Sequence, residues 1–213
     1  MPARPSDRPC GRAMGPNGPG RAETGAMART YEHIDERLAA WLEAQPVFFV
    51  GTAPLAAGGH VNVSPKGNRH ELAVLGPHAV AYLEQTGSGA ETIAHLRENG
   101  RVVLMACAFT GPPRIVRLHG RGRAVTPGDG DWDDLAARLV AKGADPAGPG
   151  VRSIIQIDVA RVAGSCGYGV PLMVFEAHRD TMDEWPARKG PGGVATYQAE
   201  QNASSIDGLP ALG

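Results

Sequence analysis

The chain has 213 residues, a formal net charge of −1, and 42% hydrophobic and 20% charged residues. This length suits one domain with extensions, and the balanced charge argues against a general nucleic-acid binder, which carries a basic excess. The three cysteines are far apart, so we expect neither a disulfide framework nor a metal site. Without a long apolar run or a signal-peptide core, the sequence predicts a cytoplasmic protein with no membrane partner.

The N-terminal segment differs in composition from the rest of the chain. Residues 1–28 are rich in Pro, Gly and Arg and nearly free of large apolar side chains. Such a segment buries too little surface to offset the entropy lost on ordering, so we predict that it is disordered. Met27 is a candidate start, because patterned sequence begins directly after it. A functional basic arm is the alternative.

The next segment predicts one helix followed by two strands. Apolar residues recur at helical spacing from Tyr31 to Gln45, and Pro46 ends the pattern. The run Val47–Val50 is short and β-prone. Gly58-Gly59 is a hairpin signal, and it precedes a strand from His60 to Lys66.

The remainder of the chain continues as strands joined by short loops. A glycine-rich loop, Thr86 to Ala90, leads into a helix that ends near Gly100, with Ser88 and Glu91 at the spacing of a capping box. A further helix is predicted at Asp131–Val140. Strands are predicted at Glu71–Leu75, Ala79–Glu84, Arg101–Phe109, Arg114–Val125 and Val151–Val162. Short loops favour antiparallel pairing, so we predict a mainly β (α+β) fold, a small antiparallel barrel with a few peripheral helices.

The first candidate site is the strand that ends at Lys66. Its valines alternate with a polar row formed by His60, Asn62, Ser64 and Lys66. Such a row offers donors, acceptors and a cation, and can contact the edge of a heterocycle and a phosphate. The alternative is a half-buried strand whose polar face is simply solvated.

The second candidate is the strand-to-helix loop from Thr86 to Thr92. Its glycines allow close backbone approach, and the amides of a helix N-terminus attract an anion. Ser88 and Thr92 add hydroxyl groups, whereas Glu91 opposes a phosphate unless it turns back to cap the helix. The alternative is an ordinary capped helix entrance.

The third candidate is a basic row in the strand Arg114–Val125. Period-two spacing places Arg117, His119, Arg121 and Arg123 on one face, and an anionic partner would relieve their repulsion. Gly120 and Gly122 indicate a bulge or bend that would interrupt the row. The alternative is a set of solvated or structurally paired arginines.

The order of several short motifs resembles a known family. These are Ser64-Pro65-Lys66-Gly67, the loop Thr86-Gly87-Ser88-Gly89, the helix Thr92–Gly100 and the turn Gly111-Pro112-Pro113-Arg114. Together they are similar to the pyridoxamine 5′-phosphate oxidase-like FMN-binding family, over roughly residues 45–165.

The resemblance implies an antiparallel split β-barrel that works as a homodimer with FMN at the subunit interface. It places Asn62, Val63 and Ser64 along the flavin ring system and Lys66 near its phosphate. Ser88, Glu91 and Thr92 occupy the segment where the true oxidases have a phosphate-binding Arg-Lys pair. That pair is absent here, and Arg114 or Arg117 is the candidate to supply the missing charge.

The resemblance also implies an oxidoreductase acting on a small molecule. The substrate arginine and histidine of the true oxidases find no match after residue 165, so we do not expect the vitamin B6 reaction, and the catalytic residues stay unknown. The alternatives are the same barrel with deazaflavin or haem, or a non-catalytic flavin-binding module. We expect a disordered segment (1–28), a flavin-binding barrel (29–165) and a C-terminal extension of loop and short helix (166–213).

Overall fold

The computed structural model describes residues 29–212, so the predicted disordered segment lies outside the described residues. Within this range there are eight strands and four helices. The strands are β1 Arg29–Tyr31, β2 Phe48–Thr52, β3 Asn62–Lys66, β4 Leu72–Gly76, β5 Ala79–Gln85, β6 Arg101–Cys107, β7 Ile115–Val125 and β8 Val151–Ser165. The helices are α1 Glu36–Glu43, α2 Glu91–Asn99, α3 Trp132–Val140 and α4 Thr181–Gln201, the last broken at Gly190.

The strands form one antiparallel sheet in the order β3-β2-β6-β7-β8-β5-β4, with β1 pairing to β8. The predicted mainly β, antiparallel fold is confirmed, and β2 and β3 form the predicted hairpin. The sheet does not close, because its two ends, β3 and β4, follow each other in the chain without pairing. Residues 67–71 connect them, so a split separates the two ends of the sheet.

Two apolar clusters hold the sheet. The larger one packs α1 and α2 against it and includes Leu42, Tyr82, Ile93 and Leu118. The smaller one lies under α3. Because β5 contributes to both clusters, its residues 80–84 are buried on both faces of the sheet. The polar side chain of Glu84 on this strand is therefore also buried.

The start of the first helix was predicted wrongly. Tyr31 belongs to β1 and pairs with Val162, and α1 begins only after Asp35, whose carboxylate accepts a hydrogen bond from Leu38 N at 2.7 Å. The helical spacing of apolar residues was real, but a side-chain cap and an edge pairing set the boundary.

The predicted irregularity in β7 is confirmed. The register between β7 and β8 shifts between His119 and Gly120. A Cβ atom at Gly120 would collide with the Asp158 carbonyl oxygen, so the two backbones approach too closely there for any other residue.

We therefore expect Gly120→Ala to lower the free energy of unfolding by about 1–3 kcal/mol, because backbone must move to admit the methyl group. Gly76→Ala is the matched control, since a Cβ atom there meets nothing within 4 Å. Denaturant unfolding of both variants measures the difference. Equal midpoints would show that the close approach at Gly120 is not a constraint.

Candidate functional site

A cavity of about 400 Å³ lies at the split between the two ends of the sheet. Strands β3, β5 and β8, the 67–71 connection and the N-terminal end of α2 all contribute to its wall. The side chains that define its chemistry are Ser64, Lys66, Glu84, Ser88, Thr92 and Arg152.

A buried ion triad spans the cavity. Lys66 Nζ and Arg152 Nη2 each donate to Glu84 Oε1 at 2.8 Å. The Glu84 side chain is 1% exposed, so this carboxylate depends on its two cationic partners for compensation. Burial raises the pKa of Glu84, but the charges of Lys66 and Arg152 outweigh burial and hold the pKa below its usual value.

A second carboxyl group in the cavity has no such partner. Glu71 is 4% exposed; its Oε2 accepts from Asn68 N at 3.2 Å, and its Oε1 has no hydrogen-bond partner. Burial raises the pKa of Glu71 to about 7, a shift that hydrogen bonding to Asn68 and Gln85 and the charge of Lys66 reduce and that the charge of Glu84 increases. Glu71 therefore carries its proton below about pH 7 and loses it above.

Three residues of the predicted polar row, Asn62, Ser64 and Lys66, face inward, which is the reverse of a solvated polar face. The fourth, His60, lies before β3 with its side chain 68% exposed and bonds to Asp207 instead. Ser64 Oγ donates to Asn62 Oδ1 at 2.9 Å, and Asn62 Nδ2 donates to Thr92 Oγ1 at 3.1 Å. The alternating apolar residues are the exposed ones: Val61, directly before β3, is 73% exposed, and Val63 is 65% exposed. The row therefore forms one hydrogen-bonded wall with α2.

The N-terminus of α2 opens into the cavity without a side-chain cap. Its N-cap is Ala90, so the predicted capping box of Ser88 and Glu91 is wrong. Glu91 Oε1 instead accepts from Ile206 N at 3.2 Å, because the C-terminal segment lies over this loop. The C-terminal end of α2 was predicted correctly, since Gly100 is its C-cap and adopts a left-handed φ of 69°.

The basic residues of β7 and its entrance lie outside this cavity. The Arg114 guanidinium lies 4.6 Å from the centre of the Trp41 ring, and Arg117 Nη1 donates to Ser165 Oγ at 3.1 Å. Arg121 and Arg123 bond to protein groups on neighbouring elements. The structure thus brings Asn62, Ser64, Lys66, Ser88, Glu91 and Thr92 together around the cavity, and it leaves Val63, Arg114 and Arg117 away from it.

Sequence reasoning missed four residues of the site: Glu71, Glu84, Arg152 and Asn202. Glu84 had a detectable signal, since it is the one charged residue of β5, whereas Arg152 shares β8 with Asp158 and Arg161 and does not stand out. Asn202 had none. It is fully buried, accepts from Arg152 Nη1 at 2.8 Å and donates to Gly87 O at 2.9 Å, so the C-cap of α4 holds two parts of the cavity wall in place from behind.

A larger groove of about 1190 Å³ adjoins the cavity. The two share Pro65, Lys66, Gly67, Asn68, Glu71 and Met182, so a ligand longer than the cavity can extend into the groove. Aromatic side chains line it, including Trp41, Phe48, Phe109 and Phe175.

Residues 29–212 contain no cluster of three or more His, Cys, Asp or Glu that could hold a metal ion. No helix in the described part of the chain has the length and apolar character needed to cross a membrane.

Glu84→Gln should lower the free energy of unfolding by about 3–5 kcal/mol, because it leaves two buried cations facing a neutral amide. Glu184→Gln is the control: its partner Arg188 and Glu184 itself are 66% and 59% exposed. Such a surface pair contributes at most about 0.5 kcal/mol. Urea unfolding of the two variants makes the comparison, and a similar loss in both would contradict the role of the triad.

Comparison with known proteins matches this chain to one family. The sequence profile of the family described as pyridoxamine 5′-phosphate oxidase matches residues 34–166. The chain is 40% identical over 196 residues to the pyridoxamine 5′-phosphate oxidase family protein ustO of Aspergillus flavus, covering 85% of this chain and 77% of that protein.

Comparison with solved structures gives matches at lower identity. A FAD-binding protein from Mesorhizobium loti gives a TM-score of 0.43 at 16% identity, covering 65% of this chain and 97% of that one. An FMN-binding protein from Syntrophomonas wolfei gives 0.41 at 14% identity, covering 66% and 85%. The profile match and the A. flavus relative extend over most of the chain, and the chain therefore belongs to the pyridoxamine 5′-phosphate oxidase family.

Proposed function

We propose that this chain is a cytoplasmic FMN-dependent oxidoreductase acting on a small molecule. One observation carries the proposal: in a member of this family, Lys66, Arg152 and the uncapped start of α2 face a single cavity. Lys66, Arg152, Ser88 and Thr92 would hold the FMN phosphate. The polar row of β3 and the adjoining aromatic groove would hold the ring system.

The donor set fits a phosphate. Hydroxyls of Ser88 and Thr92, the backbone of Gly89 and the first turn of α2 supply hydrogen-bond donors around one space. Lys66 and Arg152 add two positive charges against the single charge of Glu84 in the triad. This arrangement takes the place of the Arg-Lys pair that the loop lacks.

The chemistry of the reaction belongs to the cofactor, and the chain supplies binding and orientation. FMN, when bound, supplies the transfer of hydride or single electrons. The Ser64 hydroxyl donates to Asn62, and the Asn62 amide donates to Thr52 and Thr92, so their remaining acceptor oxygens would be presented to a heterocycle in fixed positions. The exclusion of water by Phe48 and the other aromatic residues of the groove strengthens these bonds.

The absorbance spectrum of purified protein tests the cofactor first. Flavin bands support FMN, and a Soret band would support haem instead. A colourless protein that rejects both favours deazaflavin or no cofactor. Turnover with NADH or NADPH then separates an enzyme from a flavin-binding module.

Lys66→Met should weaken FMN binding by about ten- to a hundredfold, because one charge-assisted contact to the phosphate is lost. Riboflavin, which lacks the phosphate, should bind to both proteins alike. Arg117→Ala tests whether the phosphate binds at this cavity or at the basic row of β7. We expect this change to alter the affinity for FMN by less than about threefold, because Arg117 lies outside the cavity. Arg123→Ala is the control on the same strand.

Flavin fluorescence titration measures all of these affinities, and thermal unfolding checks that each variant is folded. A large loss in Arg117→Ala with none in Lys66→Met would move the phosphate site to β7. If neither Lys66→Met nor Arg117→Ala changes the affinity for FMN, the phosphate binds at neither place.

We also propose that the protein is a homodimer. Strand β3 is an end of the sheet, and Val63 on it and Val61 directly before it are exposed next to its inward-facing polar residues. The segment Leu172–Phe175 adds four more large apolar side chains that are 52–93% exposed. Surfaces of this kind mark contacts between proteins, and a symmetric partner would also cover the open side of the groove.

Val63→Asp should shift the protein toward a monomer of about 22 kDa, since it places a charge on the exposed row of β3. Val140→Asp is the matched control, because Val140 is also exposed, at 58%, but lies on α3. Light scattering at micromolar concentration gives the masses. A dimer that survives Val63→Asp and dissociates with Val140→Asp would place the interface elsewhere.

A further inference from the structure

The two buried carboxyl groups of the cavity are held in different ways. Both Lys66 and Arg152 donate to the same oxygen, Glu84 Oε1. Within the described residues neither cation, nor any other, lies within ion-pair distance of Glu71. Glu71 Oε1 is buried and has no partner, although its side chain lines the same cavity.

Burial without an ion pair favours the neutral form of a carboxyl group, and the hydrogen bonds that Glu71 accepts offset this only in part. This agrees with the pKa of about 7 to which burial raises Glu71. When Glu71 carries its proton, the buried charges of the cavity are Lys66 and Arg152 against Glu84 alone, which leaves one positive charge in excess. When Glu71 loses the proton, this excess disappears.

We propose that the cavity binds an anionic group together with one proton, which Glu71 takes up. A doubly charged ligand beside Glu71 disfavours the carboxylate, so binding and protonation favour each other. Below the pKa of Glu71 the proton is already present and binding is strongest. Above it, the proton must be acquired on binding, and affinity falls as the pH rises. The choice of FMN as the anion rests on the proposed function, whereas the coupling holds for any phosphate-like dianion.

Other titratable, charged and polar groups lie near Glu71. Those that face it or line the adjoining spaces come from α1, β3, the 67–71 connection, β5, α2, β8 and the C-terminal segment: Glu43, Lys66, Asn68, Arg69, His70, Tyr82, Glu84, Gln85, Glu91, Arg152, His178 and Arg179. The carboxylate of Glu91 is already used by Ile206 N, and both cations of the triad are held on Glu84. Glu71 is the buried group among them with an unpartnered carboxyl oxygen and no ion pair.

Calorimetry of FMN binding at pH 8, in two buffers of different ionisation enthalpy, counts the protons taken up. At this pH the FMN phosphate, with a second pKa of about 6, is already ionised. The wild-type protein should take up close to one proton, and its affinity should fall about tenfold from pH 7.5 to 8.5. Glu71→Gln should take up none, show a flat pH profile, and bind about tenfold tighter than wild type at pH 8.

That gain in affinity separates the proposal from a structural role, since loss of a structural contact weakens binding. Glu91→Gln is the matched control, because it removes a carboxylate at the same cavity that lies outside the ion triad and should keep the proton uptake. If Glu71→Gln does not fold, the wild-type proton count at pH 8 decides. Infrared spectroscopy of the wild type should also show a carboxylic acid band that titrates near pH 7.

Sulfate, which keeps its charge throughout this range, distinguishes the two proposals. FMN binding without proton uptake at pH 8 would overturn the coupling and leave the proposed function standing. Sulfate binding with proton uptake, in a protein that does not bind FMN, would support the coupling and remove the proposed function. If neither ligand binds, both proposals are wrong.

Discussion

The pairing of Lys66 and Arg152 with one buried oxygen of Glu84 is the interaction on which the site depends. Lys66 lies on β3, at one end of the open sheet, and Glu84 lies on β5, beside the strand at the other end. Backbone hydrogen bonds do not join these ends, so the ion triad is the polar connection across the split. The cavity is the space that this connection leaves open.

This arrangement also explains why the cavity is suited to binding. A fully satisfied cluster would only hold the two ends together, whereas here Glu71 Oε1 and Glu84 Oε2 remain without partners. Buried polar atoms without partners are costly, and they are retained where a ligand or proton completes them. The polar wall of Asn62 and Ser64, held by Thr92, adds fixed hydrogen-bonding groups at the same place.

Much of the fold was predictable from local sequence. Alternating and apolar runs located the strands, and Gly100 and Gly120 marked a helix end and a bulge because their backbone positions exclude other residues. The inward direction of the polar residues of β3 could not be predicted. An alternating pattern separates the two faces of a strand, but it does not identify the face that is buried. Nor could the Glu84–Arg152 pair, because its partners are 68 residues apart and meet only through the sheet order.

The position of Asn202 has a consequence for the order in which the protein folds. Arg152, in the last strand, keeps a buried guanidinium whose second nitrogen is satisfied by Asn202, 50 residues later. The same side chain bonds to Gly87 O, and Gln198 bonds to Thr86, so the loop before α2 is held by the C-terminal end of α4. During synthesis the sheet can assemble before these residues leave the ribosome, but the cavity cannot. Its completion is a late, long-range step that follows the core.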